Sequence, residues 1–314
     1  MQKVITITGC AGFIGYYVAK ACLDKGWYVR GIDIETYASN LSSIQKLMQY
    51  PRFVYEKTNI NNLTLIYDCD YIINCAAETH VDNSIVENSS FMHSNVNGVH
   101  RLLSLIQQKH RFKMPILLHF STDEVYGDIV DGSHTEEDLL KPSNPYSATK
   151  AAADMLITAW NRTFNTPYII VRPTNNYGIG QYVEKFIPKT IKYLTLGRKV
   201  PLHENGTPVR TWLHVEDTAD AIIHIIGLGI TDEIYNISGN YEDQNINIFK
   251  KIVNLHNITD DYNQFADFSV KRQGQDVRYS IDDSKLRATG WSPHRQFDEK
   301  LADIVSFHSR YFAW

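Results

Sequence analysis

Cysteine is scarce in this sequence, and its spacing indicates neither a metal site nor a disulfide framework. The four cysteines all lie in the first quarter of the 314 residues, at Cys10, Cys22, Cys69 and Cys75. None is spaced as Cys-x-x-Cys or in another metal-ligand pattern, so we expect no bound metal. A chain of this length does not depend on disulfides to fold, and we therefore expect free thiols in a reducing compartment, the cytoplasm.

Long apolar runs and an excess of positive charge are also missing. The longest apolar stretch, around residues 221–230, is interrupted by His224 and Gly227 and is too short to cross a bilayer. A strand-like run begins within the first few residues, which leaves no room for a signal peptide. The formal net charge is −4, whereas binding to nucleic acid needs a basic surface. We expect neither a membrane nor a nucleic acid as partner.

What the sequence does contain begins with a strand, a glycine turn and a helix. A β-rich run is followed by Gly9, Gly12 and Gly15, and then by an apolar helical pattern. This order places a pyrophosphate at the amino terminus of a helix. The next strand ends in Asp33, 18 residues beyond Gly15, where a carboxylate can bind both hydroxyls of an adenosine ribose. Asp33 and Glu35 would repel a 2′-phosphate, so the pattern predicts NAD rather than NADP.

Runs typical of buried strands alternate with helical patterns along the first half of the chain. Strands are expected at 53–55, 71–75, 116–120 and 168–171, with a helix before each of the first two and another over 91–108. This alternation predicts an α/β fold: a Rossmann-type doubly wound parallel sheet with a smaller C-terminal substrate-binding lobe.

The second half of the chain is more irregular, as expected of a second lobe. The runs at 209–215 and 233–237 are nevertheless expected to return to the sheet. The predicted cofactor-binding domain is therefore 1–173 together with 210–237, and the substrate-binding lobe comprises 174–209 and 238–314.

The predicted strand 116–120 ends in polar residues rather than in more apolar ones. Ser121, Thr122, Asp123 and Glu124 follow it directly. Ligands of open α/β sheets bind beyond the carboxyl ends of the strands, so these side chains are candidates for chemistry. Taken alone, they could equally be an ordinary polar loop that caps backbone amides.

Tyr146 and Lys150 lie four residues apart and share one face of a predicted helix. A Tyr-x-x-x-Lys pair is common by chance, but here it follows a glycine turn and a strand that leads into Thr122. A tyrosine has an ordinary pKa near 10, and a nearby ammonium and a positively charged nicotinamide would both favour the phenolate. Such a group could remove a hydroxyl proton while hydride leaves the same carbon for NAD.

Nearly the whole sequence resembles the extended short-chain dehydrogenase/reductases, and within them the nucleotide-sugar 4,6-dehydratases of the dTDP-glucose type. Besides the glycine turn and the Tyr146–Lys150 pair, the resemblance is carried by 76–82, 121–127, 175–178, 183–188 and 244–247. Thr122, Asp123 and Glu124 are its discriminating feature, because related epimerases and decarboxylases lack this acidic pair.

The resemblance implies NAD as the cofactor and a set of residues that surround it. These residues are Gly9, Gly12, Phe13, Ile14, Gly15, Asp33, Ile34, Asn59, Ile60, Cys75, Ala76, Ala77, Thr79, Ser94, Tyr146, Lys150 and Asn176. Asn59 stands where the family usually has an aspartate that meets the adenine, so one adenine contact is weaker here.

The resemblance also implies roles for the polar residues after the strand. Tyr146 would take the proton of the sugar's 4-hydroxyl, Glu124 would remove the proton at carbon 5, and Asp123 would protonate the departing 6-hydroxyl. Thr122 would bind the 4-hydroxyl and Tyr146. Successive residues of a regular strand face opposite ways, so Asp123 and Glu124 can reach one sugar only if the strand has already ended.

The substrate implied is a nucleoside-diphosphate glucose, with either dTDP or UDP as the nucleotide. Besides Thr122, five residues match positions that hold the nucleotide in the family: Asn175, Lys185, Arg210, Asn245 and Arg278. Gln273 and Gln275 replace a proline and a histidine of the family pattern, which leaves the base preference open. The family also pairs two long helices of each subunit, so a homodimer is expected.

Three other interpretations stay open. A UDP-glucose 4-epimerase needs the tyrosine, the lysine and NAD but no acidic pair, and a UDP-glucuronate decarboxylase is disfavoured by Asp123. A non-catalytic NAD-binding module is the third, because a fold alone does not establish chemistry.

Overall fold

The computed structural model describes residues 2–109, 114–258 and 261–310. Its strands are β1 (Val4–Thr8), β2 (Tyr28–Asp33), β3 (Phe53–Lys57), β4 (Tyr71–Asn74), β5 (Ile116–Phe120), β6 (Tyr168–Pro173), β7 (Asn175–Tyr177), β8 (Val200–Pro201), β9 (Val209–His214), β10 (Glu233–Ile237), β11 (Tyr241–Gln244) and β12 (Ala266–Asp267).

The helices are α1 (Phe13–Asp24), α2 (Leu41–Leu47), α3 (Val81–Val86), α4 (Ser89–Phe91), α5 (Gly98–Gln107), α6 (Pro145–Phe164), α7 (Phe186–Thr195), α8 (Val215–Leu228), α9 (Asn245–Leu255), α10 (Ser284–Arg287) and α11 (Phe297–Arg310). A π-helical turn, Met92–Asn97, joins α4 to α5. The predicted helix over 91–108 is therefore present, but it is α-helical only in part. No helix among the described residues is long and apolar enough to span a membrane.

The central layer is a parallel sheet of seven strands in the order β10-β6-β5-β4-β1-β2-β3. The chain reverses its direction of winding between β1 and β4, and this confirms the predicted doubly wound fold. At that switch point the carboxyl ends of neighbouring strands leave a crevice for ligands. Helices α1 and α8 cover one face of the sheet, and α5 and α6 cover the other. Burial on both faces explains why these strands read as apolar runs.

A second core lies beside this sheet. It is formed by α7, α9 and α11 together with a three-stranded sheet in the order β11-β9-β7. Trp212 of β9 and Phe297 of α11 are buried in it. This core carries side chains toward the carboxyl ends of the central strands, where the candidate site lies.

Two details of the predicted topology are wrong. Strand β9 does not return to the central sheet, because it pairs with β7 and β11; only α8 and β10 return, the latter pairing with β6. No α-helix precedes β4. The segment between β3 and β4 spans 58–70, is rich in Asn and Asp, and forms only a 3₁₀ turn at Ile60–Asn62, since these side chains favour turns over helices.

Candidate active site

The glycine turn brings the backbone of β1 close to that of the segment after β4. Gly9 has φ +73°, and a Cβ atom there would lie 2.6 Å from the backbone nitrogen of Ala76. A Cβ atom on Gly15 would lie 2.1 Å from the Gly9 carbonyl oxygen. Helix α1 begins after Gly12 without a side-chain cap, so its first amides face the crevice with no side chain in front of them. Such an uncapped amino terminus favours a phosphate group.

Asp33 lies at the carboxyl end of β2, beside this turn. Its carboxylate accepts hydrogen bonds from the Ala11 amide (2.9 Å), the Glu35 amide (2.7 Å) and the Ser39 hydroxyl (3.0 Å). These bonds fix the carboxylate at the edge of the crevice. Glu35 differs, because its carboxylate pairs with Lys57 and accepts a hydrogen bond from Tyr55. The predicted repulsion of a 2′-phosphate therefore rests mainly on Asp33.

The crevice is a cavity of about 470 Å³ at the switch point of the sheet. Every residue predicted to surround the cofactor lines it except Lys150: Gly9, Gly12, Phe13, Ile14, Gly15, Asp33, Ile34, Asn59, Ile60, Cys75, Ala76, Ala77, Thr79, Ser94, Tyr146 and Asn176. Besides Asp33, several of these side chains are already engaged within the protein. Asn59 accepts a bond from the Asn61 amide, and Asn176 accepts one from Thr218.

The acidic pair, Asp123 and Glu124, lies just beyond β5, where the backbone no longer has strand geometry. Thr122 precedes a 3₁₀ turn, Asp123–Tyr126, and its hydroxyl accepts a bond from the Glu124 amide at 3.3 Å. The same hydroxyl donates to Asp123 at 3.2 Å. Because the backbone turns here, neighbouring side chains no longer alternate between two faces. Thr122, Asp123 and Glu124 all line the same cavity, so the geometric condition set by the sequence is met.

Burial gives both carboxyl groups an unusual affinity for protons. Burial, reinforced by the charge of Glu124, raises the pKa of Asp123 to about 7, while Arg210 and the Thr122 bond oppose the shift. Burial also raises the pKa of Glu124, and Arg210 and a hydrogen bond from Asn144 oppose it. Since a second negative charge beside the first is costly, the two groups favour different protonation states near neutral pH.

Tyr146 and Lys150 occupy the first turns of α6. This helix begins with a capping box, in which the side chains of Asn144 and Ser147 each accept a hydrogen bond from the other residue's backbone amide. Tyr146 is buried and lines the cavity beside the acidic pair. Burial, and then the charges of Glu124 and Asp123, raise the pKa of Tyr146, while a hydrogen bond with Thr122 opposes the rise. The sequence predicted that a nearby ammonium would favour the phenolate, but in the protein by itself the net effect of these groups is a raised pKa of Tyr146. The effect of a nicotinamide charge stays a prediction.

Lys150 does not line the cavity because its amino group lies behind the wall. Its Nζ atom is 3.3 Å from Nε2 of His119, a buried residue of β5 that the sequence did not single out. Burial lowers the pKa of Lys150 to about 8, while the charge of Asp154 opposes this. A histidine inside an apolar strand was the available signal for this contact.

A second cavity, of about 170 Å³, adjoins the first, and four residues line both: Thr79, Glu124, Asn175 and Lys185. Three cations line the second cavity, namely Lys185, Arg210 and Arg272. Asn245 also lines it, and the side-chain oxygens of Asn175 and Asn245 are buried without a hydrogen-bond partner among the described residues. Positive charge and free acceptors at one place suit a phosphorylated ligand that also carries donors.

Arg278 is not placed where the sequence predicted. It lines neither cavity, because its guanidinium pairs with Glu242 and donates to the Gly132 carbonyl at 2.8 Å. Arg272 lines the second cavity instead, and it pairs with Asp82 at 3.1 Å. The basic segment 271–278 was visible in the sequence, but spacing alone could not decide which arginine turns inward.

Comparisons with known proteins agree with this geometry. The model of the "NAD dependent epimerase/dehydratase family" matches residues 5–238. The chain is 36% identical to a dTDP-glucose 4,6-dehydratase of Haemophilus influenzae, over 97% of both chains. It is 35% identical to a trifunctional Arabidopsis thaliana protein whose name includes UDP-glucose 4,6-dehydratase, over 99% of this chain and 48% of that protein. The structure superposes with a TM-score of 0.92 on DesIV, a dTDP-glucose 4,6-dehydratase from Streptomyces venezuelae solved with NAD and TYD, at 33% identity over 98% of this chain and 97% of that one.

Proposed function

The chain belongs to the NAD-dependent epimerase/dehydratase family, and we propose that it converts a nucleoside-diphosphate glucose to the 4-keto-6-deoxy sugar by 4,6-dehydration. The observation that carries this proposal is the pair of Asp123, which is buried, and Glu124, which is half-buried, beside Tyr146 in one cavity. Removal of water across two carbons needs one group that takes a proton and one that gives a proton.

NAD supplies the hydride acceptor and donor in this reaction. The first cavity fits it on three grounds: the glycine turn admits a ligand backbone, the amino terminus of α1 is uncapped, and Asp33 is fixed at the end of β2. The pyrophosphate would lie on the amides after Gly12, and the adenosine ribose would lie against Asp33.

Tyr146 acts first, by taking the proton of the sugar's 4-hydroxyl as hydride leaves carbon 4. Its burial beside two carboxyl groups keeps the phenol protonated in the free protein. A bound cationic nicotinamide and the nearby Lys150 favour the phenolate, so cofactor binding activates this base. Thr122 holds the hydroxyl and the phenol in line.

Glu124 then takes the proton at carbon 5, which the new ketone has made acidic. Asp123 gives its proton to the departing 6-hydroxyl. A carboxyl group with a pKa of about 7 is a competent general acid at neutral pH. Bound NAD would return to carbon 6 the hydride that it took from carbon 4, so the reaction would involve no net change in redox state.

The nucleoside diphosphate occupies the second cavity in this proposal. Lys185, Arg210 and Arg272 neutralise the diphosphate, while Asn175 and Asn245 bind donors of the ligand. Arg272 replaces Arg278 in the set predicted from the sequence. The base, thymine or uracil, is left open by these contacts.

Incubation with dTDP-glucose and UDP-glucose, followed by the alkaline absorbance of 4-keto sugars, tests the reaction. Glu124→Gln and Asp123→Asn should still form NADH in a single turnover but release little keto sugar. Epimerised hexose without loss of water would indicate a 4-epimerase instead, and normal product release by both variants would contradict the assigned roles. Tyr146→Phe should abolish formation of NADH.

We also propose that residues 1–173 with 210–237 bind the cofactor, while 174–209 and 238–314 bind the nucleotide sugar. We propose further that the protein is a cytoplasmic homodimer that pairs α5 and α6. Free cysteines and the exposed apolar side chains of Met92, Met155 and Phe164 support this. Light scattering of the protein and of Met155→Glu tests the dimer, since a buried charge at the interface should yield monomers.

A further inference from the structure

A row of buried polar side chains crosses the central sheet and ends at Lys150. In the register of the sheet, Thr8 of β1 is the partner of Asn74 of β4, and Asn74 is the partner of His119 of β5. Directly paired residues of neighbouring strands share a face, so the three side chains lie next to one another. His119 and Leu117 point to the same face, and Leu117 packs in the cluster that contains α6. Lys150 reaches this row from α6.

The contacts along the row are continuous. The Thr8 hydroxyl donates to Asn74 Oδ1 at 2.6 Å, Asn74 Nδ2 lies 3.0 Å from His119 Nδ1, and His119 Nε2 lies 3.3 Å from Lys150 Nζ. All four residues are at most 3% exposed. Polar groups this deeply buried cost free energy unless each of them is paired, so the row requires every one of its bonds.

We propose that His119 is a positioning residue, which through Nε2 holds the Lys150 amino group and with Asn74 and Thr8 sets the pH at which Lys150 titrates. This inference rests on the proposed function, because there Lys150 supports Tyr146. No covalent step is involved.

The hydrogen-bond inventory of the row explains how it can control a charge. Burial, and then Lys150, hold the pKa of His119 well below its ordinary value, so its imidazole is neutral and carries one proton. With the Asn74 amide nitrogen toward Nδ1, that proton lies on Nε2, and Lys150 must accept it as a neutral amine. If the Asn74 amide turns over, Nδ1 donates to its oxygen, and Nε2 can accept a bond from the Lys150 ammonium.

Both arrangements keep every contact of the row, with the Thr8 hydroxyl as donor to Asn74 in the first and as acceptor in the second, and they differ by one proton that exchanges with solvent. The titratable groups that face Lys150 from other positions are Asp154 on its own helix, whose charge favours the ammonium, and the Cys75 thiol after β4, which burial keeps neutral. Asp154 is itself bound by Arg172 and Ser121, which leaves His119 as the neighbour in hydrogen-bond contact with Nζ among the described residues.

Two substitutions should move the titration of Lys150 in opposite directions. His119→Phe removes the acceptor, so the pKa of Lys150 should fall by about one unit, the size expected for a lost bond to a charged group. Asn74→Asp offers only acceptors and therefore fixes the proton on Nδ1, so the pKa of Lys150 should rise. His119→Gln can still accept through its amide oxygen and should restore part of the loss.

NMR of isotope-labelled lysine side chains reads this titration directly, with the Lys150 signal identified by its absence in Lys150→Met. The alkaline limb of NADH formation in a single turnover should move with it: down in His119→Phe and up in Asn74→Asp. The matched control is His224→Phe, which loses a bond to Thr289 away from both cavities and should shift neither readout.

The NMR readout does not depend on the reaction, so failure of the proposed function is separate from failure of this inference. Opposite shifts in the two variants support it even if no dehydratase activity is found. An unchanged Lys150 titration in both variants, with only a lower melting temperature, would show that the row is structural and would overturn the inference. If His119→Phe fails to fold, Asn74→Asp and His119→Gln decide the matter.

Discussion

The two cavities of this protein have walls of different physical character. The first, about 470 Å³, is walled by backbone and small side chains at strand ends, including Gly9, Gly15 and Ala76. The second, about 170 Å³, is walled by long charged side chains such as Arg210 and Arg272. Close backbone approach cannot be adjusted, whereas long side chains can exchange partners. A single substitution in the wall of the first cavity should therefore cause a large loss of ligand binding. A single substitution in the wall of the second cavity should cause a smaller loss.

Gly15→Ala should give the largest effect, because the rigid backbone wall of the first cavity cannot accommodate the added methyl group. The added Cβ atom would lie 2.1 Å from the Gly9 carbonyl oxygen. We expect NAD binding to weaken by about ten- to a hundredfold, the range for overpacking a fixed site. Calorimetric titration with NAD measures this. Gly227→Ala is the matched control, since its Cβ atom would meet nothing within 4 Å, and equal losses in both variants would contradict the prediction.

Arg272→Ala should give a smaller loss, confined to the charged cavity. Removal of a charge-assisted bond to a phosphate should raise the KM for the nucleotide sugar about tenfold, with NAD affinity unchanged. Arg278→Ala is the control, because its guanidinium pairs with Glu242 outside both cavities. A larger KM effect from Arg278→Ala than from Arg272→Ala would return the role to the residue first predicted from the sequence.

Raising the pH tests the boundary between the cavities, where the acidic pair lies. The pKa of Asp123 is raised to about 7, so its protonated form dominates below that pH and is lost above it. One pH unit higher, only about a tenth of a general acid with this pKa keeps its proton, so elimination should slow by up to about tenfold. NADH formation should decline by no more than about half over the same range, because Lys150 has a pKa of about 8. Rapid-quench measurement of both steps checks this, and a parallel decline would assign the loss to the first step.

A change in salt concentration should produce the smallest effect. Its influence on ligand binding should again differ between the two cavities. At 0.1 M salt the Debye length is about 10 Å, so the cations of the second cavity are only partly screened. We expect the KM for the nucleotide sugar to rise about twofold between low and moderate salt, the weak dependence of partly buried charges. NAD binding should change less, and the reverse order would contradict the division between shape and charge.

The sequence was sufficient for the first cavity because local pattern determines it. A strand, a glycine turn and a helix follow one another directly, so Gly9 and Asp33 reach the crevice without help from distant segments. The acidic pair was found for the same reason, since Asp123 and Glu124 follow β5 at once. That both line one cavity depended on a 3₁₀ turn, which the apolar pattern does not encode.

Features that depend on distant pairing could not be predicted in this way. Strand β9 contains the apolar residues Val209, Trp212 and Leu213, but its partners are β7 and β11, which only tertiary packing selects. Arg272 and Arg278 are near neighbours in a polar loop, and Asp82 and Glu242 decide which one faces the cavity. The pKa of Tyr146 was predicted in the wrong direction because burial outweighs the nearby lysine, and burial is a property of the whole fold.

Strand β10 follows β6 only after a long stretch of chain, and this affects both folding during synthesis and the preparation of fragments. This strand covers β6 at the edge of the central sheet, yet about sixty residues of chain separate them, including β7 and β9 of the smaller sheet. During synthesis, the edge of β6 therefore stays unpaired until β10 has been made. A fragment that ends at residue 173 would keep the unpaired edge of β6, which is prone to aggregation. It would also lack α8, the helix that packs on α1. The two lobes are thus inseparable as folding units.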